Sequence, residues 1–187
     1  MPWPQYINNA FEATLPNSAT DEGPLYGPYL GLLKELFPTK DHYLTRSQVK
    51  RPPESIDCTR VFIVHRLVHR NTHPVFFLEI RPPGDYIDCS SRAAVDDHVR
   101  GWLVDLAHEA GLPIIHGVSA FGTRLCFYSY TRDNQHMDPP HTAPAPAAQW
   151  NVELLSNDGA EEMTRVANDT KNMVAERGCV ICDLISR

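Results

Sequence analysis

Val75-Phe76-Phe77-Leu78-Glu79-Ile80-Arg81-Pro82-Pro83 is the stretch whose reading decides the fold. Its start is wholly apolar, and β-branched and aromatic residues in such a run mark a buried central strand. Proline has no N–H to give to a ladder, so Pro82-Pro83 ends the strand just after Arg81. Alternation puts Val75, Phe77, Glu79 and Arg81 on one face and Phe76, Leu78 and Ile80 on the other. An acid and a base thus emerge side by side where a hydrophobic strand ends. A buried carboxylate without a partner is costly, so Glu79 needs either a cationic neighbour or a metal ion.

Outward from this strand, Thr59 to Leu67 reads as a second strand and Arg70 to His73 as a turn, making an antiparallel hairpin. A short polar strand is expected over 41–49. Before it, Tyr26, Tyr29, Leu30, Leu33, Leu36 and Phe37 recur at spacings of three and four, a helix that Pro38 stops. After Pro-Pro-Gly-Asp, Cys89-Ser90-Ser91 is the expected N-cap. The helix of about five turns that follows carries Val95, Val99, Trp102, Leu103 and Leu106, and Gly111 and Pro113 close it. Ile114 to Ser119 and Thr123 to Tyr130 give two further strands around a turn at Gly122. Residues 133–148 form a Pro/Ala-rich loop, Trp150 to Leu155 a candidate edge strand, and 159–176 a last helix ended by Gly178.

The fold class expected is α/β (α+β), a mixed central sheet with an αβββαβ core flanked by helices, plus a C-terminal helix. Residues 1–24, with four prolines, read as an irregular arm, and 25–187 as a single domain.

Composition narrows the function classes. The chain of 187 residues is 42% apolar, enough for a full core, and carries a formal net charge of -6, which argues against a general nucleic-acid coat. The charge is uneven: residues 46–132 hold 11 Lys/Arg against 9 Asp/Glu, while both flanks are acidic. That centre permits a phosphate-bearing ligand. No stretch has the length and apolarity of a membrane span, and the start Met-Pro-Trp-Pro-Gln has no secretory pattern. Five cysteines, an odd number, fit free thiols in a reducing compartment, so the expectation is an intracellular protein of cytoplasm or nucleus without a membrane partner.

The element order, together with Val75 to Pro83, Ser91-Arg92-Ala93-Ala94-Val95-Asp96-Asp97 and His116 to Tyr128, resembles the core of PD-(D/E)XK nucleases. The likeness extends to a set of uncharacterised fungal proteins grouped near that superfamily. It implies metal-dependent phosphodiester hydrolysis of nucleic acid. In it, Asp57 and Glu79 would hold Mg²⁺ or Mn²⁺, Arg81 would stand where the family has lysine, and Glu35 would be an additional helical acid. Mg²⁺ suits this role because it takes one or two carboxylates beside substrate phosphate oxygens, and lowers the pKa of a bound water. Arg81 could stabilise developing charge but, always protonated, cannot accept a proton. Asp96, Asp97, His98 and Arg100 would line the helix facing the site.

Two features point to the alternative, a catalytically degenerate nuclease-like fold used as a nucleic-acid or protein binding module. A symmetric hairpin turning near Asn71 sets Glu79 opposite about Ile63 and leaves Asp57 outside the paired region, unless a bulge intervenes. The lysine is also replaced. In that case Glu79 would pair with arginines such as Arg92 or Arg100. Other motifs have plain readings: His65, His69 and His73 as polar hairpin residues, Cys179 and Cys182 as apolar-tail thiols rather than zinc ligands. The run Gly117 to Gly122 is a turn, one residue too long for a nucleophile elbow with Ser119 and His116. Trp102, Phe121, Tyr128, Tyr130 and Trp150 are core aromatics rather than base-stacking platforms.

Overall fold

The computed structural model describes residues 2–14, 17–50, 59–68 and 71–185. Its elements are α1 (Gln5–Thr14), α2 (Tyr26–Leu36), β1 (Tyr43–Lys50), β2 (Thr59–Val68), β3 (Asn71–Arg81), α3 (Cys89–Ala110), β4 (Ile114–Phe121), β5 (Arg124–Thr131), β6 (His136–Asp138), β7 (Val152–Glu153) and α4 (Asn157–Ile185). The sheet runs β1-β2-β3-β4-β5-β6, with β7 also on β5. All neighbours are antiparallel except β3 and β4, which are parallel and joined by α3. This is a mixed-sheet α+β fold containing the αβββαβ order α2-β1-β2-β3-α3-β4. The quoted stretch lies at its centre, with Phe76, Phe77, Leu78 and Ile80 all fully buried.

The two faces of β3 meet different layers. Phe76 packs on Phe37 at the end of α2, with ring centroids 5.3 Å apart, and Phe62 on the same face meets Tyr26. Phe77, on the opposite face, lies 5.6 Å from Trp102 of α3. The sheet is therefore sandwiched, with α2 on one side and α3 on the other. α4 joins the α2 side, where His116 of β4 reaches Asp169 at 2.6 Å.

β3 carries Pro74 in its interior, where proline would leave a gap in the ladder. The register shifts at that point: His65 faces Pro74 but Val64 faces Phe76, so Val75 is the extra residue of a bulge. The hairpin also closes earlier than the expected turn, since Val68 already pairs with Asn71 and Asn71 to His73 belong to β3. Glu79 consequently stands opposite Val61, not Ile63. Asp57 and His69 lie outside the described residues.

Several boundaries differ from expectation for identifiable reasons. Residues 1–24 are not an irregular arm throughout: Gln5–Thr14 is helical, because Trp3, Ile7 and Phe11 at four-residue spacing are buried in the core. The Trp3 indole N–H, moreover, donates to Leu154 O at 2.9 Å. The cap of α3 is Asp88 rather than the Cys-Ser-Ser segment. Its carboxylate accepts from the backbone N–H of Ser90 and Ser91 and from both hydroxyls. Gly111 closes α3 with φ 60°, as the left-handed C-terminal position demands. Trp150 ends a short 3-10 turn, and only Val152–Glu153 pairs as a strand. The loop over 133–148 contains β6 and buries Ala145. α4 continues through Gly178 to Ile185.

Candidate functional site

Three polar side chains converge at the C-terminal end of β3. Glu79 is fully buried, 0% exposed, with Arg81 at 19% and His98 at 22%. β-alternation brings Glu79 and Arg81 to the same face, and that face looks at α3, which supplies His98. His98 Nδ1 lies 2.7 Å from Glu79 Oε2. One helical turn on, the Trp102 indole N–H donates to His98 Nε2 at 3.0 Å. An indole nitrogen can only donate, so His98 Nε2 accepts and Nδ1 carries the hydrogen that Glu79 receives. The relay Trp102 to His98 to Glu79 therefore fixes the tautomer.

The other oxygen, Glu79 Oε1, is 3.3 Å from Arg81 Nε. Among the described residues neither atom has an aligned hydrogen-bond partner, so this is a charge contact and not a hydrogen bond. Next to Glu79 in the parallel register is Ser119, fully buried, whose Oγ accepts from the Trp150 indole N–H at 3.1 Å.

A second cluster interleaves with it on α3, offset by two residues. Asp96, 1% exposed, is gripped by the fork of Arg100, with Nε to Oδ2 at 2.7 Å and an Nη to Oδ1 at 3.1 Å. The Tyr128 hydroxyl (2.9 Å) and Gln149 amide (3.1 Å) also donate to Oδ1. The Arg100 guanidinium lies over the Tyr128 ring, 5.5 Å from its centroid. Burial, reinforced by Asp96, pushes the Tyr128 phenol well above its usual range.

The sequence-derived site residues are only partly brought together. Glu79 and Arg81 meet as expected. Glu35 does not join them: it is exposed on α2, on the other side of the sheet, and accepts from the Tyr6 hydroxyl at 2.5 Å. Arg92 and Arg100 are not the partners of Glu79. Arg92 donates to the carbonyls of Tyr86, Ile87 and Ala145, and Arg100 serves Asp96. Ser119 and His116 face opposite sides of β4, three residues apart, so no nucleophile–base pair exists between them. The Glu79–His98–Trp102 relay and the Asp96–Tyr128–Gln149 cluster were not anticipated. The four-residue spacings His98/Trp102 and Asp96/Arg100 are the signal that could have shown the helical halves of both.

The described residues do not fit a resident Mg²⁺ or Mn²⁺ at Glu79. Oε1 is a buried oxygen lacking a hydrogen bond, which a hard cation could use, but Arg81 lies against that same atom. Oε2 is taken by His98. Among the described residues, the one group of three or more ligand-type side chains within 4.8 Å is Asp96, Asp97 and His141. There the Arg100 fork already neutralises Asp96, while Asp97 and His141 form an exposed pair at 3.2 Å.

Compared with protein families, curated proteins and solved structures, the chain gives no match. Among the described residues no helix is long and apolar enough to cross a membrane.

Proposed function

We propose that this chain is a nuclease-like α/β domain of the PD-(D/E)XK type whose acid site is closed, and that it acts as a binding module, not as a phosphodiesterase. The observation that carries this reading is the state of Glu79. A metal-binding carboxylate must present free lone pairs to the ion and to substrate. Glu79 has no exposed surface, one oxygen on His98 and the other against a guanidinium. Removing such a carboxylate from its partners would strand charge in the interior, so the arrangement resists opening.

A protein partner suits the module better than nucleic acid. Phe121, Tyr128 and Trp150 are buried and cannot stack on bases, and the net charge of -6 opposes phosphate backbones. The free thiols of Cys89 and Cys126 support an intracellular setting, cytoplasm or nucleus.

The competing reading is Mg²⁺- or Mn²⁺-dependent cleavage through Asp57, Glu79 and Arg81, and its support is the hydrogen-bond vacancy at Glu79 Oε1. Incubating the purified chain with DNA and RNA in each metal decides between them. No cleavage above background, and none lost in Glu79→Gln, is the expected result. Metal-dependent cleavage that disappears in Glu79→Gln would overturn the proposal.

A further inference from the structure

At the opposite end of the sheet from Glu79, where β3 begins, is a cavity of about 810 Å³. This lies within the usual range of small-molecule sites. Its floor is apolar: Tyr43, Val75, Ala110 and Leu112 are buried there, and Val174 of α4 adds a half-buried wall. Among the described residues its rim is cationic, with Arg66, Lys171 and Arg177 against one acid, Asp41, and with His42 and His73 beside them.

The state of these cations matters. Arg66 donates to the backbone carbonyl of Asp41 and lies over the Tyr43 ring, and Arg177 donates to Ala110 O at 2.7 Å. Those contacts engage carbonyl oxygens, not carboxylates, so both guanidinium charges remain unneutralised by them. Each also keeps further N–H donors. Lys171 is half-buried and has neither an ion pair nor a hydrogen bond among the described residues. A partly desolvated ammonium without a counter-charge is unfavourable unless something anionic supplies it.

The geometry points to a binding site for a small amphiphilic anion: an apolar chain or ring against Val75, Leu112 and Val174, and a carboxylate or phosphate head held by Lys171 and flanked by Arg66 and Arg177. Hydrophobic lining with a few convergent polar groups is the general form of ligand pockets. Glu79 is four residues along β3 from Val75, about 13 Å at the usual strand rise. The cavity is thus separate from the acid site, and the outcome of the cleavage assay does not bear on it.

Calorimetric titration with decanoate, decyl phosphate and uncharged decanol tests the site. One of the two anions should saturate a single site, and decanol should bind at least about tenfold more weakly, the worth of one charge-assisted hydrogen bond. A tighter carboxylate indicates a free organic acid as the natural ligand, and a tighter phosphate a phosphate monoester. Lys171→Glu should weaken the anion by about tenfold or more with the melting temperature unchanged. Val174→Trp, which pushes a larger ring into the cavity from its apolar wall, should weaken binding in a protein whose circular dichroism is retained. Absence of saturation by either anion, equal binding of decanol, or full affinity in Lys171→Glu would overturn the assignment.

Discussion

His98 donates a 2.7 Å hydrogen bond to Glu79 from the nitrogen that Trp102, one helical turn away, leaves free to donate. The order of donors makes Glu79 the end of a chain rather than the centre of an open site. Among the described residues, truncating His98 leaves a fully buried carboxylate with only a misaligned contact to Arg81. His98→Ala should therefore destabilise the fold by about 2–4 kcal/mol, the range for stranding a buried charge that keeps one neighbour. Trp102→Phe keeps the ring against Phe77 but removes the indole donor, and should cost about 1–2 kcal/mol. Urea denaturation measures both. A His98→Ala change below about 0.5 kcal/mol would mean that the relay does not hold Glu79.

The Asp96 cluster is the more heavily bonded of the two acids. Four donors reach one carboxylate, and they come from α3, β5 and the segment before β7. Asp96→Ala should be among the most damaging single changes on α3, about 3–5 kcal/mol, since it leaves Arg100 without a counter-charge under a covered surface. Tyr128→Phe removes one donor of the four and should cost only about 1 kcal/mol. Chemical denaturation of both variants checks the ranking, and a Tyr128→Phe loss equal to that of Asp96→Ala would contradict it.

What could be read in the chain follows from which forces are local. The apolar run of β3, the 3.6-residue pattern of α3 and the proline stops each act over a few residues, and they place the central elements correctly. α1 was hidden because its apolar residues, Trp3, Ile7 and Phe11, are few and lie among prolines; the helix is stabilised by burial against distant segments, such as the Trp3 to Leu154 bond. The partner of Val61 depended on a bulge beside Pro74, a register effect that hydrophobic alternation does not specify. Alternation correctly set Glu79 and Arg81 on one face. That His98 meets Glu79 depended on the rotation of α3, which packing such as Phe77 on Trp102 sets. Glu35 failed for a related reason: its helix packs on the other face of the sheet.

The cap of α3 makes a pH-dependent contribution. Hydrogen bonds from the hydroxyls and backbone N–H groups of Ser90 and Ser91 hold the Asp88 carboxyl down at about 2, against an ordinary value of 3.8. A carboxyl lowered in the folded state stabilises above its unfolded value, and that stabilisation disappears as pH falls through the folded one. Asp88→Ala should melt lower than the parent at pH 7, and the gap should narrow from about pH 4 downwards, closing towards pH 2. Thermal melts at pH 7, 4, 3 and 2 test this. A gap that stays constant across that series would show that the cap does not titrate with folding.

Two thiols offer a test of the core itself. Cys89 is exposed at the start of α3, while Cys126 is buried on β5, opposite Ser119 in the register. Burial pushes the Cys126 thiol up to about 12, although the neighbouring Tyr128 hydroxyl pulls the other way. Only a thiolate attacks an alkylating reagent, and at pH 8 a group titrating near 12 is ionised in about one molecule in ten thousand. Cys126 is therefore protected twice, by its protonation and by the helix layer above it, and can react only when the protein opens. Iodoacetamide at pH 8, followed by peptide mass spectrometry, should label Cys89 long before Cys126 in the native chain, and both within minutes in 6 M guanidinium chloride. Equal native rates would mean that α3 does not cover the Asp96–Tyr128 end of the sheet as tightly as its hydrogen bonds require.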